Sequence, residues 1–319
     1  MTVLLIALQV ALPVLLLAWL AAFPASGVVA YTMHAVATGS VLLALGLVAM
    51  WAMPPWWVPH LYGLAFAGIV AWQLATGRIS GTGLWSAGWT ATTGLVLLAA
   101  LGGYSAYLSA QALAGRQLPE VGTVNIAAPF AAGTYIVAHG GSTEAVNAHL
   151  HTLDGSIERF RPWRGQSLAV DIIRIFPSGF HADGWRPADP ARYATFGTPL
   201  LAPCAGTVAV AADGLPDMPV PEMDRGHLPG NFVVIDCGWF AVALAHLRQG
   251  SVLVEEGDEV QVGDPIGEMG NSGNSSEPHL HIHAQRGIPE GAPFGGEPLG
   301  LTIDGRFLVR NDRISADTQ

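Results

Sequence analysis

The chain has 319 residues, 51% of them hydrophobic and 12% charged, with a formal net charge of −10 at pH 7. All 14 basic residues are arginine, which excludes Schiff-base chemistry, a Walker phosphate loop and a lysine carrying biotin or lipoate. The acidic balance disfavours nucleic acid as a partner.

Between Met1 and Gln117 only Arg78 and Arg116 carry a formal charge. A stretch of that length without a charged surface must be solvated by lipid. Four apolar segments, Val3–Phe23, Val28–Met53, Trp56–Ala75 and Trp89–Leu113, each approach the ~20 residues that a spanning helix needs. Pro59 and His60 make the third the weakest. Trp51, Trp56, Trp57, Trp72, Trp85 and Trp89 fall mostly near segment ends, as interfacial aromatic belts do. The first segment lacks a basic leader and its apolar run is too long for a signal peptide, so it reads as a retained helix.

Four crossings put the N-terminus and the C-terminal domain on one side, but Arg78 and Arg116 tie under the positive-inside rule. No Asp, Glu, Lys or Arg lies deep in a span, which argues against an ion pump or a charged-substrate transporter. His34 and His60 read as packing or interfacial residues. Residues 1–114 are therefore expected to be an all-α transmembrane bundle of about four helices, anchored in the lipid bilayer. A linker over 115–125 follows it.

From residue 126 to 319 charges, prolines and glycines become frequent, and short β-type runs alternate with turn residues. The runs are Thr134–Ala138, Leu168–Ile175, Gly206–Ala211, Phe232–Asp236, Phe240–Ala245 and His279–Ala284. The two cysteines, Cys204 and Cys237, rule out a four-cysteine zinc site. They leave either one disulfide outside the cytoplasm or two buried thiols.

The richest stretch is Gly270–His283, which ends Glu-Pro-His-Leu-His-Ile-His. On an extended strand His279, His281 and His283 share a face, with Leu280 and Ile282 turned toward a core. Two residues of strand cover ~6.6 Å, so one imidazole could hold a metal while its neighbour reaches the metal's water. A metal site is favoured over a polar sheet face that happens to carry histidine. Upstream, Val254–Gly267 repeats Val-x-x-Gly, with glycine turns between very short strands. Gly270-Asn271-Ser272-Gly273 is not a nucleophile elbow, because the second glycine comes one place early. Cys237 lacks the basic setting or helix N-terminus of a reactive thiol.

The Val-x-x-Gly repeat resembles biotinyl and lipoyl carrier domains, which need the lysine this chain lacks. Most of residues 126–290 resembles a second family, the lysostaphin-type (LytM-like) zinc endopeptidases. Leu200–Val208 is similar to that family's strand before the first barrel turn, and Gly230–Asp236 and Ala245-His246-Leu247 to its next two strands. Asn271–Ser275 followed by Pro278-His279-Leu280-His281 is similar to its most diagnostic motif.

The resemblance implies a C-terminal mainly-β domain of the duplicated hybrid motif (barrel-sandwich, lysostaphin-like) type. It implies a Zn2+ cofactor and hydrolysis of peptide bonds in cell-wall peptidoglycan by a membrane-anchored metalloendopeptidase. His281 and Asp171 would be metal ligands. His279 and His246 would be catalytic, His279 moving the proton and His246 donating a hydrogen bond to the tetrahedral intermediate. Family members commonly carry a histidine four residues before the aspartate, where this chain has Ser167. The remaining ligand is assigned to His149 in Asn147-Ala148-His149, with His151, then His139 and His181, as alternatives. His283 is expected to support the site without ligating, His227 to decorate a loop, and Asp258 and Asp264 to shape turns.

The implied location is a bacterial cell membrane with the domain outside the cytoplasm; no protein partner is implied. A second function in keeping with Ser167 is a non-catalytic domain that binds cell wall or activates other wall hydrolases. A third, a sensor or transporter accessory, is disfavoured by the uncharged bundle.

Overall fold

The computed structural model describes residues 7–23, 27–78 and 88–316; Val3, where the first predicted segment begins, and Trp85 lie outside them. The chain packs as two units, Met1–Leu113 and Ala114–Gln319.

In the first unit, α1 (Leu12–Ala22) continues a π turn over Ala7–Ala11. It is followed by α2 (Val28–Val48), α3 (Val58–Ala75) and α4 (Trp89–Ala114). The last three helices are long and apolar enough to cross a membrane, whereas the first apolar helix, Ala7–Ala22, is shorter. Helix α2 stops at Val48, short of the expected Met53. Pro54 and Pro55 cannot extend a helix, and the Trp51 indole N–H turns back to donate to the Leu45 carbonyl at 2.8 Å. Pro59, expected to weaken the third segment, instead occupies the first turn of α3, where no intrahelical N–H is required.

Close packing inside this unit depends on a missing side chain. A Cβ on Gly102 of α4 would come 2.7 Å from the Ala37 Cα of α2, so glycine lets the two backbones meet. Gln73 of α3 donates to the Leu20 carbonyl at 2.6 Å and accepts from the Tyr31 hydroxyl at 2.9 Å. One buried amide thus ties three helices together.

The second unit is built from strands β1 (Thr123–Ile126), β2 (Gly133–His139), β3 (Val170–Ile175), β4 (Pro199–Leu201), β5 (Gly206–Ala212), β6 (Asn231–Asp236) and β7 (Ala241–Leu247). They continue as β8 (Glu259–Val260), β9 (Pro265–Glu268), β10 (Leu280–Arg286), β11 (Glu297–Ile303), β12 (Arg306–Phe307) and β13 (Arg313–Ala316). The main path through the sheet runs β13-β2-β3-β10-β7-β6-β5-β8. Every run expected from the sequence falls largely within a strand, but His279 lies just before β10.

Alternation along the strands sorts their two faces. Val170 and Ile172 of β3, Val242 and Leu244 of β7, and Leu280, Ile282 and Ala284 of β10 enter one apolar core. The other face of β10 carries His281, His283 and Gln285, paired across the ladder with Ala245, Ala243 and Ala241 of β7. Opposed side chains on neighbouring strands are ~5 Å apart. The three alanines therefore leave the room that two imidazoles and an amide fill.

Strand β7 is irregular at one residue. Phe232 of β6 pairs with Ala245 and Asn231 with Leu247, which leaves His246 as the extra residue of a bulge. Its φ of 64° lies in the left-handed region. The bulge allows Leu247 to return to the core beside Leu244 while His246 joins the polar residues.

Cys204, just before β5, and Cys237, just after its partner β6, form a disulfide with Cα atoms 6.0 Å apart. The sequence separation is 33 residues, and a closed loop of that length contributes ~3–4 kcal/mol through the unfolded state. Reduction of the disulfide in the full-length chain should lower the denaturation midpoint of the second unit accordingly. Identical midpoints with and without reductant would show that it contributes nothing.

Candidate metal centre

Sheet register assembles the site. Asp171 on β3 is the direct partner of His281 on β10 and of His139 on β2. Three polar side chains from distant parts of the sequence thus lie in one row across the sheet. His149 comes from a 3-10 turn, Ala148–Leu153, which Asn147 caps by accepting from the His149 backbone N–H. Of the sequence candidates, the structure brings together His149, Asp171 and His281, each offering a ligand atom within 4.8 Å of the others. His149 Nε2 lies 3.5 Å from Asp171 Oδ2, and His281 Nδ1 lies 3.1 Å from Asp171 Oδ1.

Hydrogen bonding fixes which ring nitrogen of His149 is bare. The Asn147 amide nitrogen donates to the carbonyls of Gly141 and Ala169, at 3.0 and 3.1 Å. Its oxygen must therefore accept, and it receives the His149 Nδ1–H at 3.0 Å. Nε2 is left with a lone pair facing a carboxylate. Burial pushes the His149 imidazole down to about 3, although the Asp171 charge pulls the other way. Burial alone would raise Asp171, but His149, His279 and His281 outweigh it and hold the carboxyl well below its ordinary value. A neutral imidazole lone pair and a carboxylate facing each other without a proton between them suit a shared cation. Two histidines and one aspartate, with a position left open, form a donor set that zinc accepts in catalytic sites.

The other candidates for the first ligand are engaged elsewhere. Ser167 is buried, and its hydroxyl bonds to the Arg164 carbonyl and the Thr152 hydroxyl, both at 2.7 Å. His151 is exposed and lies 3.7 Å from Glu144. His181 pairs with Glu277 at 3.0 Å. His139 borders the site, 5.7 Å from His149 between ring centroids. Its Nδ1 accepts from Arg310 at 2.8 Å and from the Ala148 N–H at 3.3 Å. Burial pushes His139 down to about 4, against the pull of Asp171. The neutral ring therefore carries its proton on Nε2 and is a donor, not a ligand.

His246 and His279 flank the cluster, with ring centroids 4.7 Å apart and His279 Nε2 3.8 Å from Asp171 Oδ1. Each is anchored through Nδ1 on a backbone carbonyl: His246 on Ser272 at 2.9 Å and His279 on Glu277 at 2.8 Å. Both therefore present Nε2 as an acceptor. Burial holds His246 well below its ordinary value, and His279 and His281 reinforce the effect. His283 is buried behind His281 rather than facing the cluster. His227 lies on an exposed loop against Asp224 at 2.8 Å. The role of Arg310 carries no local sequence signal, since it acts on His139 far away in the chain, whereas Asn147 acts on His149 two residues on.

Residues 191–293 match the family model described as peptidase family M23. That span includes His246, His279 and His281, while His149 and Asp171 precede it. A curated relative, the peptidoglycan DD-endopeptidase ShyA of Vibrio cholerae, is 33% identical over 117 residues, which is 36% of this chain and 26% of the relative. The chain therefore spans about a quarter of that relative's length. Among solved structures, a zinc-containing peptidase from Vibrio cholerae is 22% identical, covering 40% of this chain and 29% of that one with a TM-score of 0.23. The catalytic domain of lysostaphin from Staphylococcus simulans is also 22% identical, covering 37% and 65% with a TM-score of 0.25.

The buried neutral histidines make the metal-free protein acid-sensitive. His139 and His149 bind no proton in the folded state until the pH falls to about 4 and about 3, whereas the unfolded chain takes protons up near 6.5. Their contribution is thus fully present above that value and is lost as the pH falls, by ~1.4 kcal/mol per histidine per pH unit. The chelator-treated protein should show a falling thermal midpoint between pH 7 and pH 4.5. A midpoint that is flat or rises over that interval would contradict this electrostatic account.

Proposed function

We propose that this chain, whose C-terminal unit carries a peptidase family M23 domain, is a membrane-anchored zinc metalloendopeptidase that cuts peptide bonds of bacterial peptidoglycan. The observation carrying the reading is the set of His149, Asp171 and His281, each offering a ligand atom within 4.8 Å of the others, flanked by two histidines anchored through Nδ1 on backbone carbonyls. Zinc held there would lower the pKa of a bound water toward ~7 and polarise the scissile carbonyl.

The chain's own residues supply the rest. His279, its ring fixed by the Glu277 carbonyl, takes the proton of the attacking water at Nε2 and returns it to the leaving amine. His246 is kept neutral by burial, so in the resting site its Nε2 accepts from the water and orients it. That assigns the hydrogen-bond donor for the developing oxyanion to His139, whose Nε2 holds the proton. Arg310 keeps His139 in that form.

Two features support a wall-facing location. The Cys204–Cys237 disulfide suits an oxidising compartment, and the long apolar helices suit an anchor. The non-catalytic alternative drew its support from Ser167, and the structure has His149 beside Asp171 instead, so no observation favours it.

In detergent-solubilised full-length protein, His281→Ala and Asp171→Asn should lose both zinc and cleavage of purified peptidoglycan, read by metal analysis and by mass spectrometry of the released peptides. His279→Ala should keep its zinc and lose ~10²–10⁴-fold in rate. Undiminished cleavage by His281→Ala would sink the reading.

A further inference from the structure

We propose that His283 and Gln285 are positioning residues that lock His281 with its proton on Nε2 and its Nδ1 lone pair aimed at the metal position. The inference rests on reading the cluster as a metal centre and adds residues that touch neither metal nor substrate.

The argument starts at the backbone. Gln285 is buried on β10, and its amide nitrogen lies 2.8 Å from the Gly287 carbonyl and 2.8 Å from the Pro293 carbonyl. Carbonyls only accept, so the amide nitrogen must stay there. Its oxygen then faces the Gly296 N–H at 3.3 Å and His283 Nε2 at 3.4 Å. An amide oxygen cannot donate, so His283 Nε2 carries the ring proton and His283 Nδ1 is bare. That Nδ1 lies 3.2 Å from His281 Nε2, which must therefore donate. His281 Nδ1 is then free of a proton, 3.1 Å from Asp171 Oδ1; two acceptors that close repel unless a cation is shared between them, so the relay would set this tautomer in the metal-loaded site. Reversing the chain would turn the Gln285 oxygen onto two carbonyls and set its nitrogen against the Gly296 N–H.

Hydrogen bonding fixes the amide's orientation, and close packing holds the whole group in place. A Cβ on Gly165 would collide with the Gln285 amide oxygen, and one on Gly296 would lie 2.8 Å from its Cδ. Phe294 covers His283 with ring centroids 4.9 Å apart, and Ala243 is its small cross-strand neighbour. Asn147 performs the same task for His149 in one step, using an amide whose nitrogen is committed to two carbonyls. Both histidine ligands thus take their tautomer from an amide anchored to the backbone, His149 directly and His281 through His283.

The test uses the full-length chain in detergent micelles, stripped of metal and then titrated with zinc against a chromogenic chelator. Nitrogen-15 spectra of the histidine-labelled, zinc-loaded parent should show His281 protonated on Nε2 and coordinating through Nδ1; coordination through Nε2 overturns the proposal without any variant. His283→Leu and Gln285→Leu should each weaken zinc binding by about 10–100-fold, the usual cost of losing a residue that orients a ligand. His283→Asn, whose side-chain oxygen can replace the bare Nδ1, should restore most of that affinity.

Parent-like zinc affinity in both leucine variants overturns the proposal. So does an equal loss in His283→Asn and His283→Leu when the metal-free melting curves match the parent, since that marks a packing role alone. A parent that binds zinc with this tautomer yet cleaves no wall peptide would leave the relay standing and overturn the proposed activity. A parent that binds no zinc would overturn both.

Discussion

The pairing of β3 with β10 is the constraint on which everything else depends. Asp171 meets His281 only in the observed register, and a one-residue slip of β3 would turn Asp171 into the apolar core and bring Ile172 onto the polar face. The register is in turn held by that core. Val170, Ile172, Leu280 and Ile282 interlock on the buried side, so hydrophobic packing on one face aligns a carboxylate and an imidazole on the other. The same pairing carries outward to His139 on β2 and to the bulge that presents His246 on β7.

A second constraint acts on protons rather than atoms. Each histidine of the site has one ring nitrogen committed to a partner, and the committed nitrogen decides what the other can do. Asn147, the Ser272 carbonyl and the Glu277 carbonyl each receive a proton and leave a lone pair pointing into the site. Arg310 does the reverse at His139. The site therefore holds lone pairs on His149, His246 and His279 around the Asp171 carboxylate, and a proton on Nε2 of His139. Burial keeps His139, His149 and His246 from escaping the arrangement by protonation.

Much of this was legible in the sequence, though unevenly. Charge depletion before Gln117 and the histidine alternation at 279–283 are local patterns, and local patterns survive folding. The alternation was nonetheless incomplete as a guide, because His279 stands before β10 and reaches its place through the Glu277 carbonyl rather than through strand pleating. His149 could be reached only by resemblance, since its nearness to Asp171 arises from a 3-10 turn and a sheet register that no spacing encodes. Arg310 was mute because the ring it binds lies far away in the chain, and Gln285 because backbone carbonyls that no sequence pattern marks hold its amide. The cysteine pairing stayed open until β5 and β6 were seen to lie side by side. Pro59 misled because a proline reads as a breaker unless the helix start is known.

The bulge at His246 has a cost that the rest of the site does not share. A side chain bearing a Cβ held at φ 64° gives up ~1–3 kcal/mol relative to a relaxed backbone. Glycine would occupy the same position without that penalty. Selection for stability alone would thus drive this position toward glycine, and selection for chemistry would hold it at histidine. If His246 serves the proposed chemistry, its drift to glycine would be a more sensitive sign of a lineage losing that chemistry than drift at His281, whose loss would also disturb its buried partners on β10.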